Sequence, residues 1–394
     1  MNDCCIVGGG IIGLSLAREL AGRGVKVRVL ARGRGAETTS WAAAGIFPPS
    51  PLHAGISPAD ALTAWSDKLH RLWSEDLQAE TGIDNGLLPS GSLHLARSAT
   101  GVQRLRADVA QWLARGTPAD FLDRDGVLAC EPALGNGDDG GEILGGMLLR
   151  EEMQLRPSRH LDALERSCRN RGVVIEEADV RRFVVRGARV ERAVTATGEI
   201  SAGTWVLAAG SWTGGLARTF GLALDTRPIR GQIVLLRLPK PLITRIVNRG
   251  LDYLVQRPDG RLLVGSTLED VGFDPNTTPD TVIRLLGVAR SLLGELPGSI
   301  VERSWAGLRP SNADGHPSIG PIPDLDNAFL SAGHFRAGLH QSTGSAVLLA
   351  DLMTGLTPHL DPTPFAPGRA PPPIGSVPTE STADYLARTA AAGY

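Results

Sequence analysis

The first residues whose spacing implies chemistry are Val7-Gly8-Gly9-Gly10-Ile11-Ile12-Gly13, a G-x-G-x-x-G pattern. An apolar run, Cys4 to Val7, precedes it, and Ile12, Leu16 and Leu20 follow at the spacing of one helical face. In that context Gly8 serves a tight turn, Gly10 lets backbone approach a pyrophosphate, and Gly13 permits close helix–strand packing. The phosphates then rest on the helix N-terminus. The second strand should end in an acid that grips a ribose, yet it ends Leu30-Ala31-Arg32. An arginine there suits a 2′-phosphate and raises a nicotinamide cofactor as an alternative. Thr39-Ser40-Trp41-Ala42-Ala43-Ala44-Gly45-Ile46 offers hydroxyls and small residues that let backbone press on a flat ring and a polyol, although an alanine-rich helix start has the same composition.

These residues need elements to hold them. Gly24 ends the first helix, and Val25, Val27 and Val29 alternate with Lys26 and Arg28 as a half-exposed strand does. Ala61–Thr81 and Gln103–Arg115 read as amphipathic helices flanking a short strand, Ser92–Ala96. Gly135–Gly146 reads as a surface crossing between domains. Pro157 opens a helix, where its missing N–H does no harm. Val173–Ile175, Val180 and Trp205–Gly210 return to a sheet. Consecutive strands follow at Gln232–Leu238, Tyr253–Gln256 and Arg261–Gly265, with Pro258-Asp259-Gly260 as a hairpin turn. Ala328–Leu330 is a strand, Thr343–Met353 a helix, and residues 357–378 are too proline-rich for regular structure.

Length and composition narrow the class. The chain has 394 residues, more than one hydrophobic core usually serves, so two domains are expected. A net charge of −2 argues against a nucleic-acid or anionic-membrane surface, and stretches such as Arg104-Leu-Arg106-Ala-Asp108 read as solvated faces. Cys4, Cys5, Cys130 and Cys168 read as free thiols of a reducing compartment. Adjacent Cys4 and Cys5 lack zinc-ligand spacing, and no metal is expected. No targeting segment or membrane span is apparent, so the expected address is cytoplasmic.

Over Gly8 to about Met353 the sequence resembles the glycine oxidase branch of the D-amino-acid oxidase-like flavoproteins. The resemblance rests on Val7–Gly13, Thr38–Ser40 with Ala42–Gly45, Ala208-Ala209-Gly210-Ser211-Trp212, Trp305-Ala-Gly-Leu-Arg309-Pro310, Asp314-Gly315, Ile319-Gly320 and Ala332-Gly333-His334-Phe335-Arg336-Ala337-Gly338. It implies an α/β fold in which a Rossmann-like FAD-binding domain (residues 1–57, 150–225 and 305–360) interleaves with a mixed antiparallel-sheet substrate domain (58–149 and 226–304). A proline-rich tail, 361–394, follows.

The same resemblance implies non-covalent FAD. Gly8, Gly10, Ile11, Ile12 and Gly13 would lie at the pyrophosphate, and Thr39 and Ser40 near the ribityl–phosphate. Ala44, Gly45 and Ile46 would run along the isoalloxazine, Val180 would hold adenine, and Gly210 would lie against the cofactor. His334, Phe335, Arg336, Ala337, Gly338 and Leu339 would close over the flavin. Ala31 departs from the usual acid, and Arg32 either stacks on adenine or faces water. Arg309 matches a carboxylate-binding arginine, Tyr253 a pocket tyrosine, and Arg336 an arginine whose charge favours the reduced ring. Leu251, Asp252 and His340–Ser342 depart from the family pattern. His340 is a candidate site residue or a helix-start cap.

The implied reaction is oxidative deamination of a small amino acid or amine, such as glycine, sarcosine or a D-amino acid, to an imine or oxo acid. Dioxygen is the acceptor and hydrogen peroxide the by-product; in bacteria this branch often feeds glycine imine to thiamine synthesis. A dehydrogenase passing electrons to another carrier, an NADP-binding reductase and a tRNA-modifying flavoprotein are the alternatives. Homo-oligomerisation is left open.

Overall fold

The computed structural model describes residues 3–33, 38–137 and 143–369. The amino-terminal third contains β1 (Cys4–Val7), α1 (Ile11–Gly22), β2 (Val27–Ala31), α2 (Thr39–Ala42), β3 (Ile46–Phe47), α3 (Pro58–Thr81), β4 (Ser92–Ala96), α4 (Ala99–Ala114), β5 (Ala119–Asp123) and α5 (Arg124–Cys130). The middle contains β6 (Gly145–Leu149), β7 (Met153–Gln154), α6 (Pro157–Asn170), β8 (Val174–Glu177), β9 (Val180–Arg186), β10 (Arg189–Thr195), β11 (Glu199–Ser201), β12 (Thr204–Leu207) and α7 (Thr213–Ala217). The remainder is β13 (Thr226–Arg237), β14 (Ile246–Arg249), β15 (Asp252–Gln256), β16 (Arg261–Gly265), α8 (Pro279–Leu293), β17 (Ile300–Asn312), β18 (Ser318–Pro321), β19 (Ala328–Ala332) and α9 (Ser342–Thr354).

Two sheets organise these elements. The first has the order β18-β19-β12-β1-β2-β8, parallel except where β18 meets β19. Its central strands, β1, β12 and β19, are buried on both faces. Cys4 and Ile6 enter the core formed with α1, α6 and α9, while Cys5 and Val7 enter the core beneath β9 and β10. The continuous apolar run of β1 follows from this double burial. Burial pushes the thiols of Cys4, Cys5 and Cys168 up to about 12, so they behave as small apolar groups.

The second sheet has the order β17-β13-β16-β15-β14-β4-β6-β5. Leu236, Val264, Leu254 and Leu93 pack beneath α8 on one face. Ile233, Leu263, Tyr253 and Trp305 occupy the other, which meets Ala42 of α2. This mixed fold agrees with the expected class. Among the described residues no helix is long and apolar enough to cross a membrane.

The apolar stripe Leu62, Trp73 and Leu77 places α3 in the core of α1 and α6, and β17 pairs along its length with β13 in the second sheet, with one irregularity at Glu302. Several expectations change. Gly145 and Gly146 do not cross the surface: both are buried in β6, where a Cβ would meet the Phe121 ring at 2.8 Å or Val127 at 2.9 Å. Residues 138–142 lie outside the described residues. The proline-rich stretch turns once at Thr363–Phe365, and Phe365, 1% exposed, joins the first core. Residues 370–394 lie outside the described residues.

Candidate active site

A single cavity of about 1460 Å³ runs between the two sheets, larger than the roughly 300–1,000 Å³ of an ordinary small-molecule pocket. One end is the turn between β1 and α1. Gly8 has φ +127°, and a Cβ there would lie 2.1 Å from the Ala208 carbonyl oxygen. A Cβ on Gly13 would lie 1.9 Å from the Gly8 carbonyl oxygen. These two glycines therefore serve chain packing, and Gly13 is the one predicted site residue that does not line the cavity. Gly10 lines it beside Ile11 and Ile12, and its bare Cα leaves room for Ser40, whose Oγ accepts from the Ile11 N–H at 2.9 Å. The N-cap of α1, Gly10, has no side chain to cap it and the first turn carries no acid; beyond the Ile11 N–H held by Ser40, its amino end favours an anion.

From this turn the cavity extends along β2 to Arg32, Val180 and Gly210. The Arg32 guanidinium lies 4.0 Å from the centroid of the Trp212 ring, with Asp179 at 3.9 Å. It is thus engaged by an indole and a carboxylate, which argues against a 2′-phosphate partner. Trp212 and Asp179 line the same end; Trp212 closes the Ala208–Trp212 block that carries the resemblance but had no role assigned, and Asp179 gave no signal.

In the other direction the cavity meets the inner face of the second sheet. Residues 305, 307 and 309 of β17 share that face, each opposite a β13 partner: Trp305 with Ile233, Gly307 with Gly231, Arg309 with Ile229. Gly231 and Gly307 create the space. A Cβ on Gly231 would lie 2.1 Å from an Arg309 guanidinium nitrogen, and one on Gly307 2.5 Å from the Ala42 Cβ. The Arg309 guanidinium donates to the Thr267 carbonyl and the Ser266 hydroxyl, both at 3.1 Å. The Tyr253 ring lies over Gly265, where a Cβ would meet it at 2.5 Å. Burial raises the Tyr253 pKa, opposed by Arg309 and a hydrogen bond with Ser266. Its phenol therefore keeps its proton at neutral pH.

The segment after α2 faces this sheet. Thr39 donates to the Leu308 carbonyl, which also accepts from Ser211 at 2.7 Å. Ala44, Gly45 and Ile46 line the cavity, and the left-handed Gly45 (φ +73°) passes the Leu155 backbone so closely that a Cβ would sit 2.0 Å from its oxygen. Arg257, which sequence reading missed, fixes this segment. It is 4% exposed and donates to the Ala44 carbonyl at 2.7 Å and to Gln154 Oε1 at 2.6 Å. Burial lowers its pKa to about 10.

The stretch from His334 to Leu339 borders the cavity throughout, with Arg336 its exposed member. It is tied to β17 by the Phe335 N–H donating to the Pro310 carbonyl at 2.7 Å. His334 Nε2 lies 2.9 Å from Ser345 Oγ, and burial lowers its pKa to about 3. Beneath it, His70 Nε2 lies 3.0 Å from both the Leu339 and His340 carbonyls, and burial holds that imidazole neutral.

The structure also places the neighbouring residues. Of the two alternatives for His340, the cap falls: the residue borders the cavity and does not cap α9, since its ring stacks on Phe47 at 4.4 Å and its Nε2 meets Asp67 at 3.1 Å. Asp252 turns from the cavity to Arg284 at 2.8 Å, leaving Leu251 as the lining residue. Arg104 and Asp108 are not a solvated face; they line the cavity because α4 packs Leu105 onto Met147 and Leu149 beside its end.

The residues fit a flavin dinucleotide: a cradle without Cβ atoms, a groove past β2 and a wide face above Gly231 and Gly307 form one space. A family model described as FAD dependent oxidoreductase matches residues 3–352. A glycine oxidase of Pseudomonas aeruginosa is 36% identical over 365 residues, spanning 92% of this chain and 97% of that protein. A bifunctional ThiO/ThiG protein of Synechocystis is 32% identical over 359 residues, spanning 89% of this chain and 51% of that protein. The crystal structure of glycine oxidase from Geobacillus kaustophilus aligns with a TM-score of 0.87 at 30% identity, covering 94% of this chain and 99% of that one.

Proposed function

This chain belongs to the FAD-dependent oxidoreductases, and on that premise we propose that it oxidises the C–N bond of a small amino acid, releasing oxo acid and ammonia with dioxygen as final acceptor. The observation that carries this reading is the pairing of Arg309 and Tyr253 on one sheet face, in the cavity that also contains the amino end of α1 and the Ala44–Ile46 segment. The relatives named glycine oxidase support glycine as a substrate.

When bound, FAD supplies the two-electron acceptor that no side chain provides. Gly10, Ile11 and Ile12 would hold its pyrophosphate, Val180 and Gly210 its adenosine end, and Ala44–Ile46 its ring. Arg309 is the carboxylate clamp: a planar guanidinium offers two parallel N–H donors, and Ser266 and the Thr267 carbonyl already fix its orientation. Tyr253, protonated and buried, donates to the same carboxylate. Clamping aligns the substrate Cα–H and leaves its nitrogen to lose a proton to water. Arg336 adds positive charge at the wall, and the His334–Leu339 stretch limits water entry. Oxidation takes two electrons from the substrate, and water hydrolyses the imine to oxo acid and ammonia. Dioxygen accepts the two electrons, together with the two protons released in forming the imine, and becomes hydrogen peroxide.

The test is an absorbance spectrum of the purified protein, then anaerobic titration with glycine, sarcosine and D-alanine, then peroxide measurement in air. A yellow protein bleached by one of these and producing peroxide is expected. A colourless protein that binds no FAD, or a flavin that none of them bleaches, would sink the reading.

A further inference from the structure

Arg257 stands out for what it lacks. It is 4% exposed, yet among the described residues no carboxylate pairs with it: its hydrogen-bond partners are the Gln154 side-chain oxygen and the Ala44 carbonyl. Asp259 is the acid whose charge reaches it, and that carboxylate already receives Arg156 at 2.6 Å and Arg261 at 2.9 Å. A buried cation held only by neutral oxygens is costly. The residue also has a route to the cavity, because Ala44, Gly45 and Ile46 line it and Arg257 stands behind them. In a trans peptide the C=O and the N–H point in opposite directions. With the Ala44 oxygen turned to Arg257, the Gly45 N–H of the same peptide is turned from it, toward the cavity that Gly45 lines. The Gly45 carbonyl accepts from the Leu155 N–H at 2.8 Å, so the peptides on both sides of Gly45 are held. A charge-assisted hydrogen bond at one end of a peptide strengthens the donor at its other end.

We infer that Arg257 is a positioning residue for electron uptake: through the Ala44–Gly45 peptide it presents positive charge to the flavin ring and favours the ring's reduced, negatively charged form. This rests on the reading above that the ring lies along Ala44–Ile46. Two electrons and one proton taken from the substrate leave the ring with one negative charge. That charge is the anion the buried guanidinium lacks. Arg336, also at the cavity wall, is exposed, so salt screens its charge while that of Arg257 persists.

The experiment reads the reduction potential of bound FAD, by anaerobic equilibration with a redox dye, in the wild type and in Arg257→Gln, Arg257→Met and Arg257→Lys. Gln and Met remove the charge, and Lys keeps it. At a fixed dye ratio the reduced-to-oxidised ratio of the flavin should fall about tenfold or more in Gln and Met, about 30 mV for a two-electron couple, and by less in Lys. Sulfite is the second probe, because it adds an electron pair to the ring and leaves it anionic. Its affinity should fall with the potential, at high salt as at low. An unchanged potential in Gln and Met, an equal fall in Lys, or loss of FAD from both neutral variants would overturn the inference, the last leaving Arg257 a strut and nothing more. Neither probe is an amino acid. If glycine, sarcosine and D-alanine leave the wild-type flavin unbleached, the oxidase reading fails, and dye and sulfite still decide the role of Arg257.

Discussion

The cradle at Gly8–Gly13 and the face carrying Tyr253 and Arg309 border one cavity but are built in opposite ways. The cradle is backbone from one continuous stretch, and its specificity lies in what is missing, since a Cβ on Gly8 or Gly13 would strike a carbonyl oxygen. The opposite face is side chain, gathered from β13, β15, β16 and β17 and given room by Gly231, Gly265 and Gly307. Backbone N–H groups and a helix terminus suit a phosphate common to many cofactors. Placed guanidinium and phenol groups suit one substrate. Damage to the first region should therefore cost the cofactor, and damage to the second should cost turnover while colour persists.

Arg309→Ala is the largest test of that division. Two charged hydrogen bonds of about 1.5–3 kcal/mol each disappear, so kcat/KM for amino acids should fall by about 10³-fold, with the flavin spectrum unchanged. Primary amines without a carboxylate should lose little. If the variant is colourless, or both substrate types fall together, the two regions are not separable.

Gly231→Ala is the next. The added Cβ would sit 2.1–2.3 Å from the Arg309 guanidinium atoms, and the far end of a long side chain yields more readily than backbone. The fold should therefore survive while the clamp is displaced by about 1 Å, a shift worth up to about 10²-fold in kcat/KM. In the double variant with Arg309→Ala the second loss should vanish, because both act through one guanidinium. Additive losses would place the effect of Gly231 elsewhere.

The same contrast explains what was legible in the sequence. The cradle was readable because its residues are adjacent in the chain and their glycines have a known spacing. The parallel order of β12, β1 and β2 follows from it. On the other face, Arg309 and Tyr253 were legible only through resemblance, since 56 residues of sequence separate side chains that register brings together. Arg257 gave no signal, because its role depends on the Ala44 carbonyl, which belongs to another segment altogether. Arg104 and Asp108 were misread since charge alternation does not say which side of a helix meets solvent. Glycines inside strands were the unused clue: Gly231 and Gly307 interrupt strand patterns where something must approach closely.

Acid should act on the His334–Leu339 side. Burial lowers the pKa of His334 and His160 to about 3, below the roughly 6.5 of an unfolded histidine. Between those values the unfolded chain binds the extra protons, so stability falls as pH falls from about 6.5 toward 3. Each group contributes up to about 1.4 kcal/mol per pH unit. Urea midpoints should drop from pH 7 to pH 5, and His160→Gln should flatten the slope by about one proton. Tyr253 shifts the other way, so alkaline activity to about pH 9 should show no loss from phenol ionisation. A slope unchanged in His160→Gln would mean that this ring is charged in the folded protein.

Arg32→Ala sharpens the comparison from the weak end. Its guanidinium faces the same cavity as Arg309 and carries the same charge, but its side chain is 48% exposed and its partners are the Trp212 ring and a carboxylate 3.9 Å away. An exposed cation–π contact is worth about 0.5–1 kcal/mol and an exposed ion pair at that range less. FAD affinity, measured by quenching of flavin fluorescence on binding, should therefore weaken by about fivefold at most, and kcat should hold. A loss near that of Arg309→Ala would show that Arg32 grips the cofactor where Ala31 has left the usual acid position empty. The adenosine end would then be held by side chains after all, and the division between a backbone cradle and a side-chain face would fail at that end of the cavity.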